Sequence, residues 1–185
     1  MKGEMRIIGG YLKGQKLTPP KSDRVRPTID RVKEAIFNII QEWEDKVILD
    51  LFAGTGNLGI EAYSRGAKTV YFVDNDINSI MVVTENLKKF DLLKKSKIYS
   101  MDYKAALKKF GREGVKFDVI FIDPPFKKDF WEPALNLIVE NHLLNDNGFI
   151  VTEIPTYKET KIPDSLTIYR DRKYGQNRLL ILSGD

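Results

Sequence analysis

The sequence lacks cysteine and has a single histidine, His142, among its 185 residues. Without cysteine, the chain can form neither disulfides nor thiolate metal ligands, and it has no thiolate to attack a pyrimidine ring carbon. One histidine cannot build a histidine-cluster metal site, and His142 lies at the predicted end of a helix, where a cation is favourable. The sequence therefore predicts no metal site.

Long apolar runs are also missing. No stretch approaches the roughly 18 apolar residues that a membrane helix needs. The opening residues MKGEMRIIGG contain no apolar core of the kind found in a secretory signal. Hydrophobic residues make up 42% of the chain and charged residues 30%, which suits a buried core with a solvated surface. We therefore expect a cytoplasmic protein that does not contact the membrane.

Basic residues are concentrated near the N-terminus. Residues 1–33 hold nine lysines and arginines against three acidic residues, although the whole chain has a net charge of only +4. A second basic region covers residues 88–97. Charge concentrated in one arm is typical of proteins that bind a polyanion such as RNA. The predicted RNA contacts are Arg6, Lys13, Arg24, Arg26 and Arg31.

The chain divides into a basic arm, residues 1–27, and a larger domain, residues 28–185. The arm contains RIIGGYLKGQKL, which the glycine spacing predicts to be a hairpin. A helix is predicted to begin at Thr28, with an apolar side that carries Val32, Ile36, Ile39, Ile40 and Trp43. Its opposite face is expected to expose Arg31, Lys33 and Glu34. We expect the hydrophobic core to begin after the arm.

From residue 47 the apolar pattern alternates between strands and helices. The predicted strands cover 47–51, 69–73, 97–100, 117–122, 149–154, 166–170 and 178–183. The predicted helices run from the glycine loop to about residue 65 and over about 77–89, 103–110 and 130–140. Such alternation predicts an α/β fold, a Rossmann-like, seven-stranded, mostly parallel sheet with helices on both faces and a small N-terminal hairpin and helix extension.

Acidic residues follow the first four predicted strands. They are Asp50, Asp74, Asp102 and Asp123. Ligands of open α/β sheets bind at the carboxyl ends of the strands, so these carboxylates are expected near a ligand. Helix capping alone does not account for four aspartates, because serine, threonine and asparagine cap equally well.

The stretch ILDLFAGTGNLG, residues 48–59, places the glycine pattern of a dinucleotide-binding loop after a strand. A dinucleotide would put its pyrophosphate over this turn, where Asp50 would repel it. S-adenosylmethionine instead carries a sulfonium and an α-ammonium, which a carboxylate attracts. Asp74 is placed for ribose hydroxyls in either case. The loop therefore favours S-adenosylmethionine.

The second motif is FIDPPF, residues 121–126. Its two prolines remove two backbone N–H groups and leave carbonyls beside the Asp123 carboxylate as a cluster of acceptors. Such a cluster suits an exocyclic amine, because acceptors draw its N–H bonds and offset the charge that develops during methyl transfer. Phe126 offers a face on which a flipped-out base can stack. We interpret Asp123, Pro124, Pro125 and Phe126 as the catalytic turn.

These motifs resemble the RsmD family of methyltransferases. The resemblance rests on RIIGG, RPTIDRVKEAIFN, LDLFAGTGNLGIEAYSRGA, FIDPPF and YGQNRLLIL, and it covers nearly the whole chain. Asn57 stands where the family usually has a small residue. The resemblance implies S-adenosylmethionine-dependent methylation of the 2-amino group of one guanine in 16S ribosomal RNA, within the small ribosomal subunit and by a monomer. The cofactor-binding set is then Asp50, Phe52, Gly54, Gly56, Asp74, Asn75 and Asp102, with Asp102 near the adenine amine.

Three alternatives remain at this point. The same motifs would serve an adenine-N6 methyltransferase acting on DNA or RNA, although DNA enzymes of this kind normally add a target-recognition domain. A non-catalytic RNA-binding protein on a methyltransferase scaffold would be expected to have lost part of Asp50, the glycines or the DPPF turn, all of which are present. A dehydrogenase is disfavoured by Asp50 and by the DPPF turn.

Overall fold

A computed structural model of the protein describes residues 5–20, 30–125, 129–159 and 161–184. The predicted helix start at Thr28, the predicted RNA contacts Arg24 and Arg26, and Phe126 of the catalytic turn lie outside these residues. No helix within the described ranges is long and apolar enough to cross a membrane.

The described residues form five α-helices and seven strands. The helices are α1 (Asp30–Ile39), α2 (Asn57–Ser64), α3 (Ile77–Lys89), α4 (Tyr103–Arg112) and α5 (Trp131–Glu140). The strands are β1 (Val47–Asp50), β2 (Thr69–Asp74), β3 (Lys97–Ser100), β4 (Phe117–Ile122), β5 (Leu144–Pro155), β6 (Leu166–Tyr174) and β7 (Asn177–Gly184). A short 3-10 helix, Leu93–Lys95, precedes β3. The predicted strands and the four predicted helices after residue 47 are thus confirmed, although β5 begins five residues earlier than expected because Leu144 pairs with Phe117, and β6 continues to Tyr174. The first helix ends at Ile39, so Ile40 and Trp43, which were predicted on its apolar side, follow it.

The strands form one sheet in the order β3-β2-β1-β4-β5-β7-β6. Strands β1 to β5 are parallel, and β7 runs antiparallel between β5 and β6. The predicted mostly parallel sheet is therefore confirmed. Its order reverses at β1 and β4, so the carboxyl ends of these two neighbouring strands form the crevice where such folds bind ligands.

Two hydrophobic cores cover the two faces of the sheet. Helices α1, α2 and α3 pack on one face, and α4 and α5 pack on the other. The side chains of β7 alternate between them, with Leu179 and Ile181 in the first core and Leu180 and Leu182 in the second. Because residues that lie opposite each other in two paired strands project on the same face, this alternation also shows on which face each residue of the neighbouring strand β6 projects.

The N-terminal segment belongs to the first core. Ile7 and Leu17 are buried there, and the hairpin is closed by a bridge between Arg6 and Lys16. Gly10 has a φ of +71°, and a Cβ atom there would lie 1.7 Å from the carbonyl oxygen of Ser64. The expectation that the core begins after the arm is therefore wrong, because the hairpin's apolar side chains pack against α2 and not into solvent. The domain division at residue 27 stays a prediction.

Helix α1 differs from its predicted pattern at Lys33. Val32 and Ile36 are buried as expected, but the Lys33 side chain is 0% exposed instead of facing solvent. Its ammonium lies 3.3 Å from the Glu61 carboxylate, which is also 0% exposed, and donates to the carbonyl of Arg6 at 2.6 Å and to Asn57 Oδ1 at 2.9 Å. Periodicity placed Lys33 on the polar side of α1, but the hairpin covers that side.

Glu61 is the centre of this buried network. One oxygen accepts from the backbone N–H of Ile8 at 2.9 Å, and the other accepts from Arg65 Nε at 3.1 Å. Burial lowers the pKa of Lys33, while the Glu61 carboxylate works in the opposite direction and favours the ammonium. The network therefore ties the hairpin, α1 and α2 together through charge-assisted hydrogen bonds.

We predict that Lys33→Met destabilises the protein by about 3–5 kcal/mol, the usual cost of removing one partner of a buried ion pair. Adding Glu61→Leu should recover much of this loss, because no buried charge would then be left without its partner. Lys68→Met, at an exposed position, is the control and should change stability by no more than about 0.5 kcal/mol. Denaturant unfolding measures all three; equal stability of Lys33→Met and wild type would contradict the buried pair.

Candidate active site

Three of the four predicted carboxylates meet at the carboxyl edge of the sheet. Asp50 ends the central strand β1, where it lies opposite Phe72 of β2 and Phe121 of β4. Asp74 ends β2, and Asp123 follows β4 directly. The charges of Asp74 and Asp123 both reach Asp50 and raise its pKa. The strand ends thus form one acidic cluster.

Asp50 is the most deeply buried member of this cluster, with 2% of its surface exposed. One of its oxygens accepts from the backbone N–H of Gly59 at 3.1 Å, in the first turn of α2. Loss of hydration raises the pKa of Asp50 to about 8, and the Gly59 hydrogen bond opposes this rise only in part. A cation bound at this edge would favour the ionised carboxylate. Direct contact between Asp50 and a cofactor stays a prediction.

The glycine loop is fastened to the second strand. The N–H of Gly54 donates to Asp74 Oδ2 at 2.9 Å, and that of Asp76 donates to Asp74 Oδ1 at 2.9 Å. Gly56 adopts a φ of +78°, and a Cβ atom there would lie 2.5 Å from Val83 Cγ2. Glycine is therefore required at this turn for its backbone conformation and for its close approach to α3.

Other predicted cofactor residues surround the loop. Asn75 is exposed directly after Asp74. Asp102 is also exposed and caps α4 by accepting from the backbone N–H of Lys104 at 2.8 Å. Helix capping is a structural role that any single aspartate at a strand end can have. The contact of Asp102 with an adenine amine therefore stays a prediction.

Phe52 belongs to an aromatic cluster beside the loop. Its ring stacks on Phe130 with a 5.8 Å separation of centroids, and Tyr103 lies 5.2 Å from each of them. Phe130 immediately precedes α5 and so connects the cofactor loop to the segment that follows the catalytic turn. Sequence reasoning missed Phe130 and Tyr103 because they follow other strands.

Ile77 is a further residue that sequence reasoning missed. It begins α3 next to Asp74 and Asn75, and 59% of its surface is exposed. An exposed apolar side chain at a ligand-binding edge provides a flat surface for an aromatic ring. The sequence does contain a signal for Ile77, which lies three residues after Asp74. The helical pattern of α3 does not require an apolar residue at this surface position.

The catalytic turn opens onto a small cavity on the α1 side of the sheet. Asp123 and Pro124 are half-buried there, whereas Pro125 is exposed. The cavity is lined by Val32, Ile36, Leu58, Ile122, Asp123, Val151, Thr152, Glu153 and Leu179. Two carboxylates, those of Asp123 and Glu153, thus line an otherwise largely apolar space.

Glu153 is held in place by β7. The side-chain amide of Asn177 donates to Glu153 Oε1 at 2.7 Å. Sequence reasoning missed Glu153, although it lies near the carboxyl end of the fifth parallel strand, as the four selected aspartates lie near the ends of theirs. Glu153 lies inside the predicted strand, and β5 continues to Pro155, so Glu153 was not recognised as a carboxylate at a strand end.

The described basic residues of the predicted RNA surface are exposed. Arg6 lies 3.5 Å from the Asp30 carboxylate, and Lys13 lies in the hairpin turn. Arg31 is the second residue of α1, and its guanidinium lies 5.9 Å from the centre of the Tyr174 ring. Their contact with RNA stays a prediction. Within the described residues, no group of three acidic or histidine side chains is arranged to hold a metal ion.

The chain is similar to a known protein family and to several named relatives. The family model described as "Conserved hypothetical protein 95" matches residues 5–183. "Putative rRNA methyltransferase YlbH" of Bacillus subtilis is 41% identical over 175 residues, which cover 92% of this chain and 94% of the relative. "Ribosomal RNA small subunit methyltransferase D" of Haemophilus influenzae is 35% identical, over 94% of this chain and 91% of its own.

A solved structure has the same fold over almost the entire length. "Putative methyltransferase yhhF from Escherichia coli" matches with a TM-score of 0.89 and 29% identity, covering 99% of both chains. The coverage includes the N-terminal segment as well as the sheet.

We predict that the ligand-free protein loses stability as the pH rises from about 4 to about 8 because of Asp50, whose pKa rises from 3.8 unfolded to about 8 folded. Between these values the folded state binds more protons than the unfolded state, so raising the pH favours unfolding. Asp50→Asn should flatten this dependence, because an amide does not titrate in this pH range. The fold should be kept, since the amide oxygen can still accept from the Gly59 N–H. Urea unfolding at several pH values, with Asp146→Asn at an exposed position of β5 as the control, measures the effect. An identical pH profile for wild type and Asp50→Asn would contradict it.

Proposed function

We propose an activity for this chain, which belongs to the conserved hypothetical protein 95 family, also called the RsmD family. The chain methylates the exocyclic 2-amino group of a guanine in 16S ribosomal RNA. The methyl donor is S-adenosylmethionine, and the substrate is RNA of the small ribosomal subunit. The protein acts as a monomer. The observation that carries the choice of guanine is the cavity lined by both Asp123 and Glu153.

The residues at the sheet edge fit S-adenosylmethionine better than a dinucleotide. The edge presents the carboxyl groups of Asp50 and Asp74 beside the glycine loop, and a bound cation would lower their raised pKa values and be held by the carboxylates that form. Phe52 and Ile77 add apolar surface for an adenine ring. When bound, the cofactor supplies an electrophilic methyl group.

Guanine matches the two carboxylates of the cavity. Its Watson–Crick edge carries two neighbouring donors, the N1–H and the 2-amino group, and ionised carboxylates are acceptors only. Asp123 can accept from the 2-amino group while Glu153 accepts from N1–H. Adenine has an acceptor at N1, beside its 6-amino group, and a carboxylate facing that nitrogen would be repelled. The pair Asp123 and Glu153 therefore favours guanine.

A flipped-out base would lie at the opening of this cavity, which itself has a volume of about 10 Å³ and holds no more than a water molecule. Val32, Ile36 and Leu179 form its apolar walls, and the carboxylates of Asp123 and Glu153 lie beside them. Base-modifying enzymes commonly bring their target nucleotide out of the stack and identify it by such hydrogen bonds. A guanine at this opening would direct its 2-amino group to the turn after β4, next to the glycine loop.

Asp123 orients and polarises the amine during transfer. The 2-amino nitrogen is a weak nucleophile because its lone pair is conjugated with the ring. Hydrogen bonds from the amine to the Asp123 carboxylate and to the carbonyl groups of the proline turn favour a tetrahedral nitrogen. They also offset the positive charge that would develop there as the methyl carbon passes from sulfur to nitrogen and until the methylated amine loses one of its protons. The proline residues contribute rigidity, because they fix the backbone of the turn.

The substrate class can be tested by exposing the protein to tritiated S-adenosylmethionine with unmodified small ribosomal subunits, free 16S ribosomal RNA, or plasmid DNA. We expect label in ribosomal RNA and none in DNA. Label in DNA would indicate the adenine-N6 alternative. Binding of RNA without label in any sample would indicate a non-catalytic RNA-binding protein, and either result would overturn the proposed function.

For the catalytic carboxylate, we predict that Asp123→Ala lowers kcat by about 100- to 1,000-fold, by analogy with the loss of one preorganised hydrogen-bonding partner of a transition state. Asp123→Asn should be milder, because its amide oxygen still accepts a hydrogen bond. Cofactor and RNA binding should change little in both variants, since the interaction strengthens mainly in the transition state. Single-turnover methyl transfer with saturating cofactor and RNA gives the order wild type, Asn, Ala.

Equal and nearly complete loss in both Asp123 variants would show that the carboxylate abstracts a proton instead. Full activity of Asp123→Ala would remove it from the reaction. Thermal unfolding of each variant checks that the effects arise in the folded protein.

For base recognition, we predict that Glu153→Gln lowers kcat/KM for RNA by about 10- to 100-fold, the range for losing a hydrogen bond to a charged group. The glutamine keeps the size of the side chain and an acceptor for Asn177, but its amide N–H groups would face a donor on the base. Glu140→Gln, at the exposed end of α5, is the matched control. Cofactor affinity should not change; unchanged kcat/KM in Glu153→Gln would exclude Glu153 from base recognition.

A further inference from the structure

The edge strand β6 exposes a basic and aromatic surface. Residues 167–173 of this strand are all exposed, whereas its neighbour β7 is largely buried. The exposed stretch TIYRDRK contains three basic side chains and one acidic one. The guanidinium of Arg170 lies 4.7 Å from the centre of the Tyr169 ring. Arginine and tyrosine paired at a surface are a common platform for nucleic-acid strands.

The strand register determines which face these side chains occupy. Arg170 lies opposite Ile181, and Arg172 lies opposite Leu179, and both of these β7 residues belong to the core on the α1 side. Arg170 and Arg172 therefore project on the α1 side of the sheet. Asp171 lies opposite Leu180, which belongs to the other core, so it projects away from them.

Asp171 is also already paired. Its carboxylate accepts from Arg178 at 2.8 Å. Two further carboxylates on the α1 side are engaged as well, Asp30 with Arg6 at 3.5 Å and Glu153 with Asn177 at 2.7 Å. The positive charges of Arg170 and Arg172 are therefore not neutralised by these three carboxylates.

This basic face adjoins the cavity of the catalytic turn. Leu179, which lines the cavity, lies between Arg172 of β6 and Glu153 of β5 in the strand register. Two strand spacings separate Arg172 from Glu153, a distance of about 10 Å along the same face. Tyr174 ends β6 at the carboxyl edge of the sheet. The Arg31 guanidinium lies 5.9 Å from the centre of the Tyr174 ring.

The N-terminal hairpin flanks the cavity from the other direction. It is fixed to α2 by the hydrogen bond from the Tyr11 N–H to the Ser64 carbonyl, and to α3 by that from Lys89 to the Lys16 carbonyl. Helix α1 and the cavity lie between this hairpin and β6. A strand of RNA with its target base at the opening of the cavity would thus have basic groups available on both sides.

We propose that Arg170 and Arg172, together with Arg31, form a second RNA-binding surface that holds the phosphates flanking the target nucleotide. This proposal rests on the proposed function and extends it, since it assigns RNA contacts to the C-terminal hairpin in addition to the N-terminal arm. Arginine suits this role because its guanidinium binds phosphate oxygens through two parallel hydrogen bonds.

The test compares Arg170→Gln/Arg172→Gln with the charge-matched control Lys108→Gln/Lys116→Gln, at exposed positions in α4 and directly before β4. The dissociation constant for unmodified small subunits is measured over a range of salt concentrations. Because each phosphate contact contributes about 0.7 to 0.9 to the slope of log K against log salt, the first variant should lower the slope by about 1.4 to 1.8. The control should keep the slope of wild type.

Methyl transfer provides a second measurement. The arginine variant should raise KM for the subunits while kcat at saturating RNA and cofactor affinity stay unchanged. Arg170→Lys/Arg172→Lys, which keeps the charges, should restore most of the salt slope. These outcomes together support a specific phosphate-binding surface.

An unchanged slope in Arg170→Gln/Arg172→Gln would overturn the proposal, as would an equal decrease in the lysine control. Failure of the proposed function looks different: wild-type protein would then bind subunits without transferring a methyl group to RNA. The salt slopes would still determine whether β6 contacts RNA in that case.

Discussion

The ion pair between Lys33 and Glu61 holds together the parts of the molecule that the proposed activity requires. Both side chains are 0% exposed, and a buried charge is tolerated only where its partner and its hydrogen bonds are complete. Lys33 reaches the hairpin at the Arg6 carbonyl and the glycine loop at Asn57, while Glu61 lies on the helix that follows this loop. The N-terminal segment, with its basic residues, is thereby fixed relative to the cofactor loop. Asn57 supplies one acceptor of this network.

The second determinant is the accumulation of carboxylates at the end of a parallel sheet. Parallel strands end at one edge, so Asp50, Asp74 and Asp123 come together although they are far apart in sequence. Their mutual repulsion and the burial of Asp50 disfavour full ionisation of the ligand-free site, as the raised pKa of Asp50 indicates. A cationic ligand and an amine-bearing base relieve this cost. On this account the edge uses acidic groups for two purposes, attraction of the cofactor near β1 and β2 and recognition of the base near β4 and β5.

Much of the fold could be predicted because periodicity and glycine placement reflect local geometry. The position of Asp74 at the end of β2 was predicted, because the apolar run of a strand marks where it ends, but the hydrogen bond from the Gly54 N–H to Asp74 was not. Lys33 could not be predicted, because its burial depends on a hairpin that packs from outside the helix. Glu153 and Arg172 depend on strand register across β5, β7 and β6, which hydrophobic patterns do not specify. Phe126 lies outside the described residues, and its stacking role stays a prediction.

The central claim is that the cavity between Asp123 and Glu153 selects the donor edge of guanine. The most direct measurement is the identity of the nucleoside that the wild-type protein produces. Unmodified small subunits would be treated with the protein and S-adenosylmethionine, and their RNA digested to nucleosides for mass spectrometry against standards. The account predicts N2-methylguanosine in 16S ribosomal RNA. N6-methyladenosine, or a guanosine methylated on a ring nitrogen, would contradict it.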